Sequence, residues 1–219
     1  LVRSRGLGDV YKRQSSLFEY CNNLLASIQS AVSNCTLNEE LELYFAPVKD
    51  SRTGRYSMDI MKDALYSGRY GVQIFLEMYY HFYGFEQRKK ALENRVLKMA
   101  NDFYLNTNEM KWFNLSFTNG VASLLMELRN FALISNRNSF VEMIFKIIKS
   151  IPEKNITRSE ESDYYNGIAG LLYIICDCYK KFNVDIDLYA RNLIEYIVTD
   201  LFKRCDICCL LYTSPSPRD

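Results

Sequence analysis

A short glycine phrase is written three times in this chain, with its glycines about 50 residues apart. The copies are Leu65-Tyr66-Ser67-Gly68-Arg69-Tyr70-Gly71-Val72, Phe117-Thr118-Asn119-Gly120-Val121-Ala122-Ser123-Leu124 and Tyr164-Tyr165-Asn166-Gly167-Ile168-Ala169-Gly170-Leu171. Each has a polar residue, a glycine, two spacers and a second tiny residue, and then runs into apolar sequence. A period of that length marks one supersecondary unit repeated along the chain, which restricts the fold to stacked or ring-closed repeats.

The parts of the unit follow from the spacing of apolar residues. A very apolar helix follows each phrase, on Val72, Phe75, Leu76, Tyr79 and Tyr80, then Val121, Leu124, Leu125, Leu128 and Phe131, then Ile168, Leu171, Leu172, Ile175 and Tyr179. Breaks fall at Tyr83-Gly84, Ser135-Asn136-Arg137-Asn138 and Phe182-Asn183. A second, more charged helix comes next, on Leu92, Val96, Met99 and Phe103, then Phe140, Ile144, Phe145 and Ile148, then Leu188, Leu193, Ile197 and Leu201. The unit is therefore an αα-hairpin. Its first helix is apolar on most sides and belongs to an inner layer, and its second has one wet face and belongs outside. The expected fold is all-α, a partial α/α toroid, with Glu153 to Ser162 as a polar connector into the third unit.

Ahead of the repeats, Leu17, Cys21, Leu24, Leu25, Ile28 and Val32 predict an amphipathic helix over Ser15–Ser33. Thr36 to Asp63 reads as a short hairpin or extended linker, with a polar turn over 50–55. The two ends read differently. Residues 4–14 resemble a translated transposase sequencing adapter, and residues 209–219 resemble its opposite strand. The expected organisation is an adapter-derived 1–14, a lead-in over 15–64, three hairpins over 65–208 and an adapter-derived 209–219. On that reading the chain is an internal piece of a longer gene.

Charge excludes some functions. The chain carries 27 basic and 26 acidic residues. Setting aside Arg5, Lys12, Arg13, Arg218, Asp9 and Asp219 in the end runs leaves 23 basic and 24 acidic. That balance provides no electrostatic footprint for nucleic acid or an anionic membrane, and no apolar run reaches transmembrane length. Of the seven cysteines, Cys209 lies in an end run and Cys208 on its junction, so the Cys205-Asp206-Ile207-Cys208-Cys209 cluster is not read as half a metal site. Cys176 and Cys178 are expected as small core residues of a reducing compartment, the cytoplasm.

Ser67, Asn119 and Asn166 are placed to cap the following helices with a side-chain oxygen, which would make Gly68, Gly120 and Gly167 the first helical residues. Glycine is a poor helix former, so a tight turn or a close backbone approach is required there. Gly71, Ser123 and Gly170 sit three residues on, on the same face, and would let a neighbouring inner helix pack closely. A further reading has the helix N-termini converging on one cavity, with free amides to hold an anion.

At these residues the chain resembles the cyclase domain of lanthionine synthetases. Leu65-Tyr66-Ser67-Gly68 with Gly71-Val72 is similar to the opening repeat of the cyclase half of class II, bifunctional lanthipeptide synthetases. Gly54-Arg55-Tyr56 and Asp63-Ala64 resemble the approach to it. Asp163-Tyr164-Tyr165-Asn166-Gly167-Ile168-Ala169-Gly170 fits the Asp-x-x-x-Gly-x-x-Gly pattern of a later repeat, and the second copy departs by having Ser123 for glycine. The resemblance spans about Ser15 to Ile207.

The resemblance implies an enzyme that closes thioether rings. Zinc holds a peptide cysteine as its thiolate, the thiolate adds to dehydroalanine or dehydrobutyrine, and an acid/base pair handles the proton at the α-carbon. The implied partner is a precursor peptide with dehydrated Ser/Thr and with Cys, and the bifunctional class carries a dehydratase domain on the same chain. The family's catalytic aspartate corresponds to Asp163. Its zinc ligands and catalytic histidine belong to later repeats and have no counterpart here, since the single histidine, His81, lies in Tyr79-Tyr80-His81-Phe82-Tyr83 and reads as structural. About three of the seven hairpins of such a toroid are expected, with Asp163, without a zinc site and without activity in this chain alone. Competing readings are a helical-repeat binding module, a six-hairpin glycosidase using Glu160, Glu161 and Asp163, and a cyclase-like protein that acts on glutathione or has no catalysis. The long period argues against the first. Trp112 as sole tryptophan argues against the second.

Overall fold

A computed structural model describes residues 3–38, 43–49, 51–66, 68–107, 114–158 and 161–208. Ser67, Trp112, Glu160 and Cys209 lie outside the described residues, as do the side chains of Cys205 and Cys208. Two units make up the chain, Leu1–Ile60 and Met61–Asp219.

In the first unit, helix α1 (Arg3–Cys35) begins well ahead of the start expected at Ser15. Its apolar stripe is not buried, and Leu17, Leu24 and Ile28 stand exposed. Strands β1 (Thr36–Asn38), β2 (Leu43–Lys49) and β3 (Tyr56–Ile60) then form an antiparallel sheet in chain order. Phe45 pairs with Ile60 and Lys49 with Tyr56. The expected hairpin is thus β2–β3, and β1 adds a third strand. Its turn needs Gly54, whose φ of +68° is a left-handed conformation that side chains disfavour.

The second unit is the repeat. Its inner helices are α2 (Arg69–Tyr83), α4 (Val121–Ser135) and α7 (Ile168–Phe182). Its outer helices are α3 (Glu86–Asn106), α5 (Asn138–Lys149) and α8 (Leu188–Cys208). The inner helices pack in the order α2, α4, α7, each carries its own outer helix, and the outer helices pack α3, α5, α8. The fold is all-α in two layers, as the alternation of apolar and amphipathic helices predicts. A short helix α6 (Glu153–Arg158) occupies the stretch expected to be a polar connector. Buried Ile151 and Ile156 anchor that stretch to the core. Among the described residues, no helix is long and apolar enough to cross a membrane.

Each inner helix stops the same way, on a left-handed residue: Gly84 at φ 72°, Asn136 at φ 54° and Asn183 at φ 50°. Glycine and asparagine tolerate that conformation best, which is why the breaks fall on them. Burial follows position in the row. Helix α4 has inner neighbours on both sides, and Val121, Leu124, Leu125, Leu128 and Phe131 are all buried. Helix α2 has one such neighbour, and of its predicted apolar set Leu76 is buried while Val72, Phe75, Tyr79 and Tyr80 are half-buried.

Candidate functional site

The three glycines are not first helical residues. Gly68, Gly120 and Gly167 are themselves the N-caps, in extended conformation, and no side chain caps the helices. Asn119 and Asn166 stand one residue too early to cap. The capping groups are backbone carbonyls of the preceding loop. Arg69 N–H donates to the Lys62 carbonyl at 3.0 Å and Tyr70 N–H to Ala64 at 3.2 Å. Val121 N–H donates to Asn114 at 2.9 Å and Ile168 N–H to Glu161 at 3.3 Å. These amides are therefore used within the fold, which removes the reading in which they are free to hold an anion.

That curl explains the glycine. A Cβ on Gly120 would lie 2.5 Å from the Asn114 oxygen and the Ser116 nitrogen, and one on Gly167 would lie 2.5 Å from the Asp163 nitrogen and the Glu161 oxygen. Gly68 faces the Lys62 carbonyl in the same way. The second small residue answers to the same loop. Gly71 and Gly170 lie against the carbonyls of Leu65 and Tyr164, six residues back. Ser123, the departure in the second copy, converts that contact into a buried hydrogen bond, Oγ donating to the Phe117 carbonyl at 2.6 Å. The close approach is thus chiefly of the phrase's own loop. The packing expected between neighbours is seen at Gly170, where a Cβ would also meet the Phe117 ring.

Neighbouring phrases are tied by an equivalent bond. Leu65 N–H donates to the Thr118 carbonyl at 3.1 Å, and Phe117 N–H donates to the Tyr165 carbonyl at 2.9 Å. In both, the residue three before one glycine reaches the residue two before the next. Aromatic rings follow the same line, with Tyr66 edge-on to Tyr165 and Phe117 stacked on Tyr164. Tyr173 of α7 completes the group against Tyr164. Burial first, then the nearby Tyr173 and Tyr66, pushes the Tyr164 hydroxyl above its ordinary value. The phrases form one continuous shelf with Tyr66 and Tyr165 exposed on it.

Asp163 sits at the third phrase, exposed. Its Oδ1 accepts Tyr165 N–H at 2.7 Å and Asn166 N–H at 2.9 Å, forming a tight turn ahead of Gly167. Ser116 holds the equivalent place in the second phrase, and its Oγ accepts Asn119 N–H at 3.3 Å. Ala64 holds it in the first. Of the other glycosidase candidates, Glu161 lends its carbonyl to the α7 cap.

Two charged groupings inside the helices escaped the sequence reading. Glu77 of α2 is buried with Lys89 and Glu93 of α3, Lys89 Nζ lying 3.9 Å from Glu77 and 3.8 Å from Glu93. Arg137 reaches Glu93 at 2.7 Å. Burial, then the charge of Glu93, pushes the Glu77 carboxyl up to about 8, against the opposing pull of Lys89 and Arg137. Between α4 and α7, Arg129 pairs with Asp177 at 2.7 Å. The signal for both was a charged residue inside an otherwise apolar inner helix.

His81 lies in the last turn of α2, its Nδ1 3.3 Å from Lys89 Nζ. Cys178 is buried as expected, and burial pushes its thiol up to about 12. Cys176 is exposed instead, because its face of α7 has no inner helix against it. No group of three His, Cys, Asp or Glu among the described residues could hold a metal ion. The described residues therefore do not fit the zinc that the resemblance implies, and no step is derived through it.

Comparison with known proteins agrees with the geometry. A protein 26% identical over 136 residues is the lacticin 481/lactococcin biosynthesis protein LcnDR2 of Lactococcus lactis subsp. lactis. The match takes in 61% of this chain, and the chain covers 14% of that relative's length. The family model for lanthionine synthetase C-like proteins matches residues 59–207, which begin at the end of the small sheet and take in every glycine phrase and hairpin. The chain belongs to the lanthionine synthetase C-like family.

Proposed function

We propose that this chain is the front portion of a lanthipeptide cyclase domain and that Asp163 is its acid/base residue. The observation that carries the reading is the place of Asp163. Of the residues four ahead of the three glycines, Ala64, Ser116 and Asp163, it is the single carboxylate. It is exposed, and Oδ2 takes no part in the turn that Oδ1 makes. The family match and the lantibiotic-biosynthesis relative support the same reading.

The reaction is addition of a peptide cysteine to a dehydroamino acid. The thiolate sulfur bonds to the β-carbon, the double-bond electrons move onto the α-carbon and its carbonyl as an enolate, and a proton is delivered to the α-carbon. Asp163 has the chemistry to move that proton, with a second acid/base residue from outside this chain. Zinc, which in this class lowers the thiol pKa, would draw its ligands from residues other than those described. The substrate is a precursor peptide with dehydrated Ser/Thr and with Cys, made by a dehydratase domain ahead of the cyclase on the same polypeptide. The chain alone is proposed to be inactive.

The test is thiol counting. The complete gene product carrying this chain is incubated with a dehydrated precursor peptide, and remaining thiols are alkylated and read by mass spectrometry. Ring closure is expected to abolish alkylation well ahead of the protein-free control. Thiols that persist at the control rate would refute the proposal.

A further inference from the structure

The turn that holds Asp163 is gripped from the second glycine phrase, and the grip is centred on Thr118. Its main-chain N–H donates to the Tyr165 carbonyl at 3.0 Å, beside the Phe117 N–H on the same oxygen. Its hydroxyl donates to Asn166 Oδ1 at 3.1 Å. Tyr165 and Asn166 are the two residues whose amides Asp163 Oδ1 accepts. One residue of the neighbouring repeat thus fixes both members of the turn from the opposite side.

One competitor for the hydroxyl proton is already filled. Asn119 Oδ1, the competing acceptor at 3.4 Å, already accepts Asn114 Nδ2–H at 2.9 Å and Ser116 Oγ–H at 2.8 Å. Two donors fill the two lone pairs of an amide oxygen. Ser116 spends its proton on Asn119, so at the 3.2 Å contact between the two hydroxyls it can only accept. The acceptors left with room for the Thr118 proton are Ser116 Oγ at 3.2 Å and Asn166 Oδ1 at 3.1 Å, and the contact to Asn166 is the shorter.

The grip is specific to the third phrase. Among the described residues, the first phrase is held to the second by the single main-chain bond from Leu65. At that junction the counterpart of Thr118 is Tyr66 of the first phrase, and the counterpart of Asp163 is Ser116 of the second. The added bonds occur where the phrase carries a carboxylate. A turn that merely opened a helix would not need them, as α4 opens with the Leu65 bond alone reaching its phrase from the first.

We propose that Thr118 is a positioning residue for Asp163, holding the 163–166 turn so that the carboxylate keeps one orientation towards the reacting α-carbon. The inference rests on the acid/base role proposed for Asp163. Misplacement of a catalytic group by a fraction of an ångström to one ångström slows chemistry by about ten- to a hundredfold.

The test uses Thr118→Val, Thr118→Ser and Asp163→Asn in the complete gene product. Thr118→Val keeps shape and the main-chain N–H and removes the hydroxyl at a half-buried site, so the fold should stand. The expected result is about a tenfold fall in kcat for ring closure with KM changed less than twofold, and rescue by Thr118→Ser. Amide exchange at Tyr165 and Asn166 should quicken in Thr118→Val and return in Thr118→Ser. Parent kcat in Thr118→Val beside an inactive Asp163→Asn would overturn the positioning role and leave Asp163 standing. Parent kcat in Asp163→Asn would overturn the acid/base reading itself and the inference with it. A kcat loss in Thr118→Val that Thr118→Ser does not restore would also overturn it.

Discussion

Gly120 shows what a single residue contributes to this fold. Its missing side chain lets the Asn114–Ser116 backbone lie on the helix start and cap it. Gly120→Ala should destabilise the repeat by about 2–4 kcal/mol, since backbone must move to admit the methyl group. Ser123→Ala removes one buried hydrogen bond, the one that Oγ makes to the Phe117 carbonyl, so about 1–2 kcal/mol is expected. Urea denaturation read by near-ultraviolet circular dichroism would check the order, and a Gly120→Ala variant as stable as the parent would break the argument. The sequence announced that glycine was required at these places. It could not announce why, because the capping group is a main-chain carbonyl six or seven residues back that arrives only when the loop folds. Asn119 and Asn166 looked like caps because their type suits the role; they serve the ties within and between phrases instead.

At the level of elements, the inner and outer helices were legible from apolar spacing, and their stops from Gly84, Asn136 and Asn183. The ion cluster between α2, α3 and the start of α5 was not, since Glu77, Lys89, Glu93 and Arg137 come together only across helices. It makes a definite pH prediction. With Glu77 pushed up to about 8 from an unfolded value of about 4.5, the folded state keeps a proton that the unfolded state releases between those values. Stability from neutral Glu77 is complete below about pH 4.5 and is lost as the pH rises through about 8. Glu77→Gln fixes the neutral form and should flatten that fall. Melting temperatures between about pH 5 and 8 would check it, and equal slopes in parent and variant would contradict it. The first unit yielded less. Alternation and Pro47 suggested extended chain, but β1 has only three residues and no periodic signal of its own.

For the second unit as a whole, stability should be graded along the row of hairpins. Helix α4 lies between α2 and α7, while α7 has an inner neighbour on one side and exposes Tyr173 and Cys176. The chain by itself should therefore exchange amide hydrogens faster in α7 and α8 than in α4 and α5, and tend to aggregate through the uncovered face. A single sharp transition with even protection would contradict this. The same row carries the functional argument. Equivalent bonds align the phrases into one shelf, and Asp163 stands on it beside exposed tyrosines. The most direct measurement is ring closure in deuterium oxide by the complete gene product and by its Asp163→Asn variant. The parent should place one deuterium at each new α-carbon in a single configuration, and the variant should close rings about a hundredfold or more slowly. A variant that matches the parent in both rate and configuration would contradict the account.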